Sequence, residues 1–173
     1  MSIFFTADTH FHHKNIIKYE DRPFTSIEEM NETMIKKWNA KVKPNDSIYI
    51  IGDFIFSDGE TANKLIKRLN GRKQLIKGNH DSFLRDRSFD RSLLEWVKDY
   101  YLLRINNMKF ILFHYPIQVW DCKHHDSIHL YGHVHSNKDN HHPLLIELGK
   151  AYNVGVDVNN YEPISLEEVL SKF

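Results

Sequence analysis

Short apolar runs rich in Ile, Phe, Leu and Tyr recur along this chain, and five of them stop at residues able to bind a metal ion. Ile3-Phe4-Phe5-Thr6-Ala7 stops at Asp8-Thr9-His10, and Ile48-Tyr49-Ile50-Ile51 at Gly52-Asp53. Leu75-Ile76-Lys77 leads to Gly78-Asn79-His80-Asp81, and Phe110-Ile111-Leu112-Phe113 to His114. Ile128-His129-Leu130-Tyr131 runs into Gly132-His133-Val134-His135. Runs of this length are strand-like. Ligands collect at the carboxyl ends of strands in folds that mix helices and sheets. One shared centre explains five such endings better than packing does.

Strand signals fall at Ile3–Ala7, Ser47–Ile51, Gln74–Lys77, Leu102–Ile105, Met108–His114, Ile128–Tyr131 and Ala151–Asp157. Between them, Thr25-Ser26-Ile27-Glu28 reads as a capping box. The helix it opens turns Ile27, Met30, Met34, Ile35 and Trp38 inward. Ser57 to Asn70 reads as a second helix stopped by Gly71, and Leu93, Leu94, Trp96 and Val97 suggest a third. Asn106-Asn107 is a hairpin turn between apolar runs, and Ser165-Leu166-Glu167-Glu168 caps a short last helix. The fold class is α/β, with a mixed sheet or two sheets covered by helices, layered helix, sheet, sheet, helix.

At 173 residues, with no repeat and no Pro- or Gly-rich linker, the chain is expected to be a single domain over 1–173. Lys plus Arg equal Asp plus Glu, so no global field draws it to nucleic acid or a membrane. Nothing in it is long and apolar enough to span a bilayer. With Cys122 the sole cysteine and no export signal, a cytoplasmic setting is expected. Twelve His beside one Cys mean that metal chemistry here must use imidazole and carboxylate, which suits a hydrolytic ion.

In an extended chain residues i and i+2 face one side, so Asp8 with His10, and His133 with His135, would each present a pair. Gly52 would let the backbone turn tightly and swing Asp53 into the site. Asp8, His10, Asp53, Asn79, His114, His133 and His135 are too many ligands for one hydrolytic ion and suit two. Two cations at roughly 3.5–4 Å need an anionic bridge, for which Asp53 is the choice. A water between them would be acidified to hydroxide near neutral pH and could attack phosphorus in line.

The order Asp-x-His, Gly-Asp, Gly-Asn-His-Asp, His, Gly-His-x-His resembles the calcineurin-like metallophosphoesterase family from Asp8 to His135. That resemblance implies two facing sheets flanked by helices. It implies that Asp8, His10, Asp53 and His135 bind one metal, and Asp53, Asn79, His114 and His133 the other. His80 would contact the phosphate and protonate the leaving oxygen, with Asp81 orienting its imidazole. The cofactors would be two divalent ions, Mn foremost, with Fe, Zn, Ni or Mg as alternatives. The partner would be a phosphate-ester substrate, a nucleotide or nucleic acid among the candidates.

After Gly52-Asp53 the chain continues Phe54-Ile55-Phe56-Ser57, without the phosphate-binding Arg of the protein-phosphatase branch. The expected activity is therefore phosphodiester hydrolysis ahead of monoester hydrolysis. Two alternatives are a catalytically retired scaffold or protein-interaction module, and a nuclease on short or single-stranded nucleic acid. His12 and His13 read as solvated loop residues, and Arg22 as a surface salt bridge. The Asp121–Asp126 segment reads as a loop on the pocket rim, and His141 and His142 as exposed loop residues before Pro143.

Overall fold

The computed structural model describes residues 1–136 and 148–173. His141, His142 and Pro143 lie outside the described residues. In chain order come β1 (Ile3–Thr6), α1 (Ile16–Tyr19), α2 (Ile27–Lys41), β2 (Ser47–Ile51), α3 (Gly59–Arg68) and β3 (Arg72–Ile76). Next are β4 (Trp96–Lys98), β5 (Tyr100–Ile105), β6 (Met108–Phe113) and β7 (Ile128–Tyr131). Then follow β8 (Ala151–Asn153), β9 (Ile164–Ser165) and α4 (Leu166–Leu170).

Helices between successive early strands force parallel pairing. The first sheet runs β4-β3-β2-β1-β9, with β1 to β4 parallel and β9 antiparallel to β1. The second runs β5-β6-β7-β8, where the β5–β6 hairpin is antiparallel and the rest parallel. Parallel pairing brings the carboxyl ends of β1, β2 and β3 to one edge, and those of β6 and β7 likewise. The β5–β6 turn has positive φ at both Asn106 (47°) and Asn107 (67°), as a tight hairpin of this hand requires.

Alternation along each strand divides the core in two. Phe4, Ile48, Ile50 and Leu75 face α2 and α3, packing on Met30, Trp38, Leu65 and Ile66. Phe5, Ile51 and Ile76 face the second sheet and meet Phe110, Leu112 and Leu130. The two sheets thus stack face to face. On the outer side of the second sheet Trp120 and Ile117 pack with Ile111, Tyr131 and Leu148. The segment that crosses between the sheets joins them by backbone bonds: Ala7 N–H donates to Val154 O and Val156 N–H to Ala7 O, both 3.0 Å.

Three local expectations need correction. Leu93 to Val97 do not form a helix: a 3-10 turn at Arg91–Leu93 is followed by β4. Trp96 pairs with Gln74 and packs on Tyr101 at 4.7 Å, so edge pairing and aromatic packing override the helical spacing. The α2 cap sits one residue later than expected. Ser26 accepts from Glu29 N–H, and Glu29 Oε2 accepts from Thr25 N–H. The strand expected over Ala151–Asp157 stops at Asn153: the Val154 N–H still bonds Tyr131 O of β7, but the Val154 carbonyl and the Val156 N–H turn to Ala7.

Ser26→Ala removes the cap of a 15-residue helix and is expected to cost about 1 kcal/mol of unfolding free energy. Urea denaturation measures it, and an unchanged midpoint would contradict the assignment.

Candidate metal centre

The residues singled out at the strand ends meet at the joint edge of the two sheets. Asp8, His10 and His135 bring one ligand atom each within 4.8 Å of one another, and so do Asp53, His114 and His133. Each group takes residues from both sheets. Asn79 joins the second, its Oδ1 lying 3.1 Å from His114 Nε2. The Asp53 Oδ2 atom stands between the groups, 3.5 Å from His10 Nε2 and 3.4 Å from His114 Nε2.

The local backbone departs from the extended form expected. Asp8 (φ 54°), His10 (47°), Asp53 (51°), His133 (69°) and His135 (48°) are all left-handed. Asp and His tolerate this region better than most residues. The strands end before the ligands begin, so the chain curls each ligand back over the sheet edge. Asp8 and His10 still share a group, but His133 and His135 fall in different groups.

Glycines clear the space. Gly52 has φ +83°, and a Cβ there would strike the His114 ring. A Cβ at Gly78 would strike Asp53, and one at Gly132 would come 2.5 Å from Asp8 Oδ2. The glycines of the Gly-Asp, Gly-Asn-His and Gly-His motifs are thus the floor against which ligand side chains rest.

Neighbouring groups aim the ligands. His114 Nδ1 lies 2.9 Å from Ile51 O, a bond that makes Nδ1 the donor and leaves Nε2 facing Asp53. His135 Nδ1 lies 2.8 Å from Asp157 Oδ2. Asp157 in turn takes two 2.8 Å bonds from Arg22 Nε and Nη2; Nη2 also donates to Asp8 O, and Nη1 to Thr9 O. The Arg22 and Asp157 side chains are 0% and 2% exposed. The salt bridge read for Arg22 is therefore buried, not superficial, because the guanidinium braces the turn that carries Asp8 to His10.

Burial pushes the Asp8 carboxyl up to about 6 against the pull of His135 and His114. Burial also drives the His10 imidazole down to about 2, so its 3.5 Å approach to Asp53 is a neutral ring beside a carboxylate, not an ion pair. For Asp53, burial acts upward but His114, the His80 N–H and His10 outweigh it and hold the group at about 2. Both His10 nitrogens are buried without a hydrogen-bond partner. Buried polar atoms are normally satisfied, so an unpaired imidazole among carboxylates fits a divalent cation as its missing partner. The donor set of imidazole, carboxylate and amide fits as well.

His80 is exposed at the mouth, its ring 5.5 Å from that of His10, and its N–H donates to Asp53 Oδ1 at 2.8 Å. The expected contact of Asp81 with the His80 imidazole is absent among the described residues. Asp81 turns inward and accepts from the N–H groups of Asp53, Phe54 and Gly78. Three converging backbone donors occupy it, so it ties the β2 and β3 loops together. His13 is also not simply solvated: its ring stacks on Phe56 at 4.3 Å. His12 is exposed, as expected. Asp157 escaped the sequence reading, since it lies 135 residues from Arg22.

Asp157→Asn leaves Arg22 buried without its counter-charge and is expected to cost about 3–5 kcal/mol of stability. Thermal unfolding tests this, and a loss below about 1 kcal/mol would refute the brace.

The model of the calcineurin-like phosphoesterase superfamily domain matches residues 1–160. An uncharacterized protein of Methanocaldococcus jannaschii is 37% identical over 170 residues, covering 97% of this chain and 89% of that protein. The gene 66 protein of Mycobacterium phage L5 is 35% identical over 82 residues, 44% of this chain and 38% of that protein. The fold is similar to that of a protein of unknown function from Aquifex aeolicus, with a TM-score of 0.77, 24% identity and 99% of each chain covered. The family match spans every ligand-bearing strand end described above, and the chain belongs to the calcineurin-like phosphoesterase superfamily.

Proposed function

We propose that the chain is a dinuclear metal-dependent phosphohydrolase that prefers phosphodiesters to monoesters. The observation that carries this reading is the pair of ligand groups drawn from both sheets, with the Asp53 carboxylate between them. Asp8, His10, His135 and Asp53 would hold one ion; Asp53, Asn79, His114 and His133 the other. Two divalent ions there would supply an acidified water as nucleophile and positive charge to the phosphoryl oxygens.

The chain's own groups do the rest. Neutral His10 offers a lone pair without first losing a proton, and His114, anchored through Nδ1 on Ile51 O, presents Nε2 to Asp53. Exposed Asn79, His80 and His133 form the open side, where a phosphate can enter. His80, held by its N–H on Asp53, is placed to give a proton to the leaving oxygen. The stretch after Asp53 is apolar, with Phe54 and Ile55 buried. It offers no cation for a dianionic monoester, which favours the singly charged diester. A retired scaffold fits less well, because every ligand position is filled and aimed.

Asp53→Asn is expected to abolish hydrolysis of bis(p-nitrophenyl) phosphate in Mn²⁺ and to weaken both metal sites, measured by metal content. His80→Ala should keep its metals while slowing turnover about a hundredfold or more, most for poor leaving groups. Metal loss in that variant would sink the acid role. Wild-type protein that takes up no Mn²⁺ and turns nothing over would favour the scaffold.

A further inference from the structure

Beside Asn79 the metal centre opens into a cavity of about 410 Å³ between the β3 loop and the end of β6. Its walls are of two kinds. Phe113 and Tyr115 form an aromatic side, with the Tyr115 hydroxyl 3.4 Å from Asn79 Oδ1 and its ring 4.6 Å from that of His133. Lys77 and Arg85 form a cationic side. Lys77 is neutralised by an ion pair with Asp99, which also lines the cavity.

Arg85 has no such partner. Arg22, Arg68, Arg72 and Arg91 all donate hydrogen bonds, while Arg85, Arg87 and Arg104 do not among the described residues, and of these three Arg85 alone lines the cavity. Arg85 is exposed on the cavity wall and engages no hydrogen bond or ion pair among the described residues. Asp86, the next residue, is occupied by the Gly59 and Ser88 N–H groups and the Ser88 hydroxyl, and Asp81, which also lines the cavity, by three backbone N–H groups. A guanidinium left open, in the same cavity as an expected metal ligand, is suited to a phosphate, which it can grip with two parallel N–H bonds. Phe113 and Tyr115 in the same lining offer π-faces for a base.

We propose that this cavity is a subsite for a second phosphate of the substrate, held by Arg85 while an attached base lies on Tyr115. The substrate class is then a phosphodiester that carries a further phosphate, as in a short 5′-phosphorylated nucleotide chain. The inference rests on the phosphohydrolase reading and adds a specificity determinant to it.

The test compares the 5′-phosphorylated dinucleotide pApA with ApA and bis(p-nitrophenyl) phosphate, using wild type, Arg85→Ala and Arg85→Lys. Wild type should favour pApA over ApA about tenfold or more in kcat/KM, and Arg85→Ala should erase that preference chiefly through KM. Arg85→Lys should restore part of it. A pApA-to-ApA ratio within about twofold of wild type in Arg85→Ala overturns the subsite. Binding of pApA, followed by NMR without added divalent metal, reads the subsite apart from turnover. Weaker binding in Arg85→Ala supports it and equal binding overturns it. Wild type that hydrolyses none of the three would sink the phosphohydrolase reading, while the binding measurement still decides the role of Arg85.

Discussion

Four carboxylates share the nearly dry interior of one sheet edge, and the structure depends on how their charge is met. Asp8, Asp53 and Asp81 are at most 4% exposed, and the Asp157 side chain is 2% exposed. Unpaired, such charges cost several kcal/mol each. Asp157 has Arg22 and His135, and Asp81 has three backbone N–H groups. Among the described residues the Asp8 carboxylate accepts only the His133 N–H, and Asp53 has the His80 N–H with His114 and neutral His10 beside it. Asp8 and Asp53 belong to the two candidate metal groups, one to each.

The same arithmetic accounts for the backbone. A non-glycine residue in the left-handed region costs of order 1 kcal/mol or more, and such residues persist where their surroundings over-determine them. Five of the proposed metal ligands are held this way, by the Arg22 brace, the Asp81 tie and the glycine floor. Preorganisation of this kind lets a ligand set await its ion without rearrangement.

Much of the architecture was legible because it is local. Short apolar runs mark β1, β2, β6 and β7; Ser165 with Glu168 marks α4; Asn106-Asn107 marks the hairpin. The strand endings likewise disclosed which residues would meet. What stayed hidden is long-range or conformational. No local pattern pairs Arg22 with Asp157, or draws Trp96 onto the edge of β3. The resemblance likewise made Asp81 a partner of the adjacent imidazole, whereas two of its three N–H donors come from the distant β2 loop.

Each candidate cation position is a composite, with donors from the β1 and β2 ends facing donors from the β6 and β7 ends across the sheet interface. An ion seated there acts as a rivet between two slabs. Rivets bind the assembled form and not the opened one, so ion occupancy and the docking of the slabs are thermodynamically linked. Chelators would then loosen the whole sandwich as well as silence its edge.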